Sequence, residues 1–414
     1  MKKFVLVVNV LVIFFLIGLM FFNNKPKELE DLKEVIKQPK MLSMNLEQTS
    51  GAGDYKTVTQ SNWPTDGYEF NEELSRCENG STLSWDDSKN AVIVSGSTSD
   101  RCYVYFDKNI DVATACVGKT LKDCVISYYT GTQGKNKIYY HDSSLANGAG
   151  DNSYRYAGSN PNNYVCFGSN VSPCPTDNLY RIIGVIDNKV KLIKYDYVTG
   201  ALLGKNGEYD GSSSILITSF YKGSLSSLET FRWNSSGSNA WSESSLNKTN
   251  LNTNFINNIG STWASKIQTT TWKVGGGSYA NIVQSVPSIA YKYEVGSSAA
   301  STTYDAKIGL MYVSDYYYGA SQSMWTLIGY NSSDETKDYR AAASNNWMHM
   351  GINELTILPN TTQFDAAYQI QNYGYVSYAF VDMDSSCVRP VFNLDTSIEY
   401  VSGAGTQNDP IIIK

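Results

Sequence analysis

Apolar and polar side chains alternate with period two in short runs along much of this chain, the pattern of strands with one buried face. "TLSW", "AVIVS" and "CYVYF" are three such runs within residues 62–107, separated by the turn sequences "DDSKN" and "GSTSD". "RIIGVI" and "VKLIKY" make a hairpin across "IDNK", and "QIQNYGYVSYAFVDMDSSCVRPVFNL" holds further short strands. Helical spacing is rarer. Leu121, Val125 and Tyr128 share one face of a helix placed after Gly118, and Leu251, Phe255, Ile256 and Ile259 share another. Leu29, Leu32, Val35 and Ile36 predict a short stalk helix that Pro39 ends. "AKIGLMYVSDYYYGA" reads as a strand running into an aromatic loop.

One stretch has no period. Residues 4–22 are apolar except for Asn9 and Gly18, and they follow Lys2 and Lys3. At about 1.5 Å rise per residue this run nearly crosses a hydrocarbon core of roughly 30 Å. No small-x-small cleavage site follows it, so an uncleaved anchor is expected rather than a removed signal. The predicted order is an anchor (1–24), a stalk helix and flexible linker (25–61), and a small β module (62–107). A helix and turn-rich connecting region (108–178) and an α+β body (179–414) follow.

Composition narrows the function. Of 414 residues, 42% are hydrophobic and 17% charged, and 31 are Tyr. Polarity carried by Ser, Thr, Asn and Tyr suits a β-rich fold with a neutral surface. A net charge of −6 with no long basic run excludes nucleic acid as the expected partner. His141 and His349 are the only histidines, which argues against a histidine base or a multi-imidazole metal site. Seven cysteines in such a body point to an oxidising compartment outside the cell, with one thiol left over or paired between chains.

Spacing assigns part of the cysteine set. A Cys77–Cys102 bridge closes a loop of about two dozen residues, worth about 3 kcal/mol in chain entropy, and a unit so small needs a staple. Cys166 and Cys174 flank a Gly/Ser/Pro turn and can bridge a hairpin mouth. If the helix starts after Gly118, Cys116 and Cys124 stand about 12 Å apart, too far to bond each other. Those two and Cys387 stay unassigned.

Candidate chemistry is sparse. His141 and Asp142 are sequence neighbours, whose side chains diverge, and His349 sits among Trp347 and two methionines, a packing environment. No nucleophile elbow, metalloprotease helix or phosphate loop is present, and "VGGGSY" is a turn. Asp382/Asp384 and Asp142/Asp151 could hold calcium but lack the spacing of a known loop; no other cofactor and no catalytic residue is expected. The run "SDYYYGASQSMW" is the candidate binding surface, through Tyr316, Tyr317, Tyr318 and Trp325, because exposed Tyr and Trp bury large area at low entropy cost. Arg389, in "CVRPVFNL", stands in an apolar strand, and a buried guanidinium must be paired. It is expected to fasten the last strand rather than bind a ligand.

"DNSYRYAGSNPNNYVCFG", "LYRIIGVIDNKVKLIKYDY", "LNKTNLNTNFINN", "AKIGLMYVSDYYYGAS" and "VRPVFNLDTSIEYVSGAGTQNDPIII" together resemble a domain-of-unknown-function family of bacterial surface proteins. Some of its members carry a prepilin-type start. The likeness covers roughly residues 135–414. More remotely, "NELTI", "YQIQNYGYVSYAF" and "CVRPVFNL" are similar to the closing segments of the fold shared by C-type lectins and formylglycine-generating enzymes. Leu355 replaces an aromatic and Cys387 a glycine of that pattern, and neither the catalytic cysteine pair nor the calcium–sugar signature has a counterpart. The resemblance implies a lectin-like mixed domain as the body of the α+β chain, and Glu354 as the partner of Arg389. The family has no established activity, so the resemblance implies a fold and a location only. Together with the apolar run, the expectation is a single-pass protein of the bacterial cell membrane, held through residues 4–22, whose extracellular, noncatalytic body serves adhesion to a glycan or protein. A pilin-like structural subunit of the envelope is the alternative, against which the missing prepilin processing start counts.

Overall fold

The computed structural model describes residues 41–59, 63–64, 67–72, 74–86, 91–97, 100–327 and 339–414. They fall into two compact units, one ending at Ile110 and the other running from Asp111 to Lys414.

In the first unit, strand Met41–Glu47 runs parallel to strand Arg101–Lys108, placing Met44 opposite Val104 and Leu46 opposite Phe106. These four side chains form the core, and Trp63, Phe70 and Trp85 pack on it. Tyr55–Val58 extends the sheet as an antiparallel neighbour. The expectation of a flexible linker up to residue 61 is therefore corrected for residues 41–58. Their alternation, Leu42/Met44/Leu46 against Ser43/Asn45, is a strand signal seven residues long. Glu47, fully buried, accepts hydrogen bonds from Gly53 N (2.8 Å) and Lys108 N (3.0 Å). The Cys77–Cys102 disulfide joins directly paired residues of two antiparallel strands.

The second unit is built on a seven-stranded sheet. Its path runs Ile308–Gly309, Val391–Asn393, Lys189–Lys194, Leu179–Ile186, Ser153–Tyr156, Ile138–His141, with Tyr164–Cys166 also paired to Leu179–Ile186. The "IDNK" hairpin forms as expected. Asp187 and Asn188 take positive φ (48° and 62°), a conformation these short polar side chains tolerate. Gly184, on the first strand of that hairpin, is required where it pairs with Ser153–Tyr156, since a Cβ there would lie 2.1 Å from the Tyr154 carbonyl oxygen. Strands from residues 138–166 belong to this sheet, so the expected boundary at 178/179 does not exist.

The α+β, lectin-like mixed architecture is also corrected. The chain is mostly strands, with 19% helix. The physical reason is local: the expected helices are short, one spanning Leu121–Ile126 and the other Leu246–Phe255 with Ile256–Asn258 before Gly260, and several asparagines of the second bond to neighbouring chain. Asn250 and Asn254 both donate to the Leu203 carbonyl and Asn252 donates to that of Ile308. Among the described residues no helix is long and apolar enough to cross a membrane. The expected anchor over 1–24 and the stalk helix ending at Pro39 lie outside the described residues.

The segment 385–393 ties three sheets together. Ser385–Ser386 pairs with Leu228–Arg232, Cys387 bridges Glu354 at the edge of the Glu354–Pro359 sheet, and Val391–Asn393 enters the seven-stranded sheet. Arg389 stands at the middle of that path.

Candidate functional site

The Arg389 guanidinium is 1% exposed. Its Nε donates to Glu354 Oε1 at 2.8 Å and its Nη2 to Glu354 Oε2 at 2.9 Å, a bidentate fork. Nη2 also donates to the Met348 carbonyl at 2.6 Å. Burial alone would favour the neutral form, but Glu354 outweighs it and holds Arg389 protonated above its ordinary range. The parallel bridge between Glu354 and Cys387 supplies the spacing, which puts the two side chains side by side. The pair is a fastener sealed from water, as expected from the sequence.

The aromatic loop is not a surface. Tyr316, Tyr317, Tyr318 and Trp325 are all buried; the three tyrosines lie on the helix Val313–Tyr318, and the Trp325 indole donates to the Ala320 carbonyl. Tyr316 donates to the Gly374 carbonyl and Tyr317 to that of Ile282. All six residues of that helix are buried, Ser314 and Asp315 included, so it lies in the core. Two carboxylates hold its start: Glu294 accepts from Val313 N and Ser314 N, and Asp315 accepts from Tyr312 N. Burial raises the Glu294 carboxyl to about 7.

Six of the seven cysteines pair. Cys166–Cys174 forms as expected, and Cys116–Cys124 forms against expectation, with Cα atoms 4.6 Å apart. The chain reverses at Gly118 (φ +72°) between two short helices, Val112–Cys116 and Leu121–Ile126, so the two cysteines face each other across a turn. Cys387 remains a free buried thiol, its pKa pushed up first by burial and then by Glu354. Asp142 caps its own turn through Ser144 and Leu145, and Asp151 is bound to Arg155. Among the described residues no group of three or more His, Cys, Asp or Glu could hold a metal ion.

Both histidines are interior. His141 Nδ1 accepts from Ala149 N, so its proton sits on Nε2 against the Tyr318 and Trp325 rings. His349 Nε2 lies 3.1 Å from the Asn372 carbonyl oxygen, which can only accept. Burial lowers their pKa values to about 3 and about 4. An unfolded histidine takes its proton near 6.5, so the stability that neutral rings contribute is fully present above that pH. It is lost as pH falls toward those values, at up to about 1.4 kcal/mol per pH unit for each ring. NMR of the ring protons should show both histidines neutral at pH 5.5; a midpoint near 6.5 for either would contradict its burial.

What opens to solvent lies elsewhere, on either side of the loop 214–222. One cleft, of about 210 Å³, is lined by Ile215, Leu216, Ile352, Asn372 and Cys387 among others. The second, of about 310 Å³, is lined by Phe220, Tyr221, Lys222, Arg340, His349 and Tyr373 among others. The loop is seated by backbone contacts with residues 350–351: Lys222 N donates to the Met350 carbonyl and Thr218 Oγ1 to that of Gly351. Gly351 has φ +83°, and a Cβ there would fall 1.9 Å from the Phe220 carbonyl oxygen. Behind the loop, Asp196 accepts from Tyr221 Oη (2.6 Å) and Ser224 N (2.8 Å), anchoring its far end.

Phe220 and Tyr373 are 47% and 43% exposed and meet edge to face with ring centroids 5.3 Å apart. Arg340 lies 5.8 Å from the Tyr373 ring. Burial lowers the Lys222 ammonium, and the Arg181 and Arg389 charges lower it further. These residues carry no sequence signal. "GSSSILITSFYKGS" places apolar residues in a serine-rich loop with neither period two nor period 3.6, and pattern reading is silent there.

No family model, curated protein sequence or solved structure matches this chain significantly.

Proposed function

We propose that this protein is a noncatalytic recognition protein of the cell exterior, whose ligand-contacting face is the pair of clefts beside the loop 214–222. Three disulfides support an oxidising location. The carrying observation is the exposed Phe220–Tyr373 pair at the mouth of a 310 Å³ cleft, where a rigid aromatic platform can bury ligand area at little entropic cost. The surrounding chemistry favours binding over turnover. The histidine in the cleft is held neutral by burial and bonded to a backbone carbonyl, and the cysteine beside the neighbouring cleft is held as a thiol. Adhesion or ligand recognition uses such a surface without a reacting group.

The test is a glycan array probed with the full chain, followed by titration of the best hits. A Phe220→Ser/Tyr373→Ser double variant should retain its melting temperature and lose at least tenfold in affinity. Undiminished binding by that variant would place the recognition face elsewhere.

A further inference from the structure

We infer that the cleft walled by Phe220 and Tyr373 takes an acidic sugar, with its carboxylate between Lys222 and Arg340. The inference rests on the recognition reading above and names the ligand class of that same face.

The charge inventory around the cleft is one-sided. Lys222 and Arg340 line it, and among the described residues neither has a carboxylate partner and no acidic side chain lines the cleft. The interior next to it repeats the imbalance. Arg181 is 4% exposed, and among the described residues its charge is met by neutral groups. Its Nε donates to Asn163 Oδ1 (2.7 Å), its Nη2 donates to the Pro161 carbonyl (2.9 Å), and the Tyr164 and Trp347 rings lie 4.2 and 4.6 Å away. The nearby carboxylates are already committed, Glu354 to Arg389 and Asp196 to the base of the loop. A chain with net charge −6 thus gathers uncompensated positive charge at one concave spot, and an anion is the partner that relieves it.

Shape and wall chemistry choose among anions. A volume of 310 Å³ sits at the small end of ligand pockets, about 300–1,000 Å³, so it fits a sugar-sized unit and not a folded partner. The exposed parts of the Phe220 and Tyr373 rings suit the apolar C–H face of a pyranose. Ser219 and Ser344 add polar groups to the wall for hydroxyls. Arg340 brings a planar fork that matches a carboxylate, and Lys222 a point charge.

Calorimetry with the full chain separates the possibilities. The probes are a glucuronate-containing oligosaccharide, the same oligosaccharide with its carboxyl groups reduced to alcohols, and an oligomer of glycerol phosphate. The acidic oligosaccharide should bind, with the affinity falling as salt is raised, and carboxyl reduction should weaken it at least tenfold. Lys222→Gln and Arg340→Gln should each weaken it about tenfold with unchanged melting temperature. Equal binding of the acidic and reduced forms, lost in the Phe220→Ser/Tyr373→Ser variant, would overturn the acidic-sugar inference while leaving the recognition face in place. Tighter binding of the glycerol phosphate oligomer would replace the sugar carboxylate by a phosphate polymer. Binding of none of the three would overturn both.

Discussion

Replacing Arg389 by alanine should lower the melting temperature of the Asp111–Lys414 unit by roughly 10 °C, corresponding to about 3–5 kcal/mol. The change removes a bidentate partner from Glu354, which is itself 1% exposed and among the described residues pairs with no other cation. It also strips the Met348 carbonyl of its donor. Removing one member of a buried pair leaves the other as an uncompensated charge, and that penalty is the larger part of the effect. The double change Arg389→Met with Glu354→Leu should recover much of the loss, because it removes both charges and keeps the volume. Thermal denaturation followed by circular dichroism checks both. An Arg389→Ala protein that melts like the parent would show that the segment 385–393 closes the fold without its charged link.

Asp315→Asn should destabilise the same unit by a comparable amount, about 3–5 kcal/mol. Asp315 is 3% exposed and serves two cations: Arg155 Nη1 lies 3.2 Å from its Oδ1 and Lys191 Nζ 2.5 Å from its Oδ2. It also accepts from Tyr312 N at the start of the helix Val313–Tyr318. The amide keeps the shape but not the charge. Arg155 retains Asp151 at 2.7 Å, whereas Lys191 is left with the Tyr312 ring 4.6 Å away. Combining Asp315→Asn with Lys191→Met should therefore restore part of the stability. The readout is the urea midpoint at constant slope, since only a constant slope attributes the change to the native state. A single variant as stable as the parent would mean that water reaches Lys191.

Both effects concern charge in the interior, and the first was legible in the sequence for a simple reason. An arginine inside "CVRPVFNL" cannot remain unpaired in a strand whose neighbours are apolar. Its partner, 35 residues away, came only through the resemblance to a known closing segment. That pairing stands although the mixed lectin-like architecture it came with does not. Lys191 and Arg155 gave no such signal, because they alternate with apolar residues as an outward-facing side chain would. "SDYYYGASQSMW" misled for the opposite reason. Its Tyr and Trp have the composition of a recognition loop, yet Asp315 and Glu294 cap the segment as a helix and the body closes around it.

Local rules determined a good deal here. Period-two alternation placed the hairpin at "IDNK", helical spacing placed Leu121–Ile126, and short loops between cysteines placed Cys77–Cys102 and Cys166–Cys174. Each of these depends on residues close along the chain, where geometry follows from φ, ψ and side-chain volume. Tertiary structure alone decided which aromatic rings face water, why Cys116 reaches Cys124, and where positive charge collects without a counter-ion. Those outcomes depend on residues as far apart as Phe220 and Tyr373, or Lys222 and Arg340. Burial and electrostatic balance are sums over neighbours in space, and no window of sequence contains the neighbours.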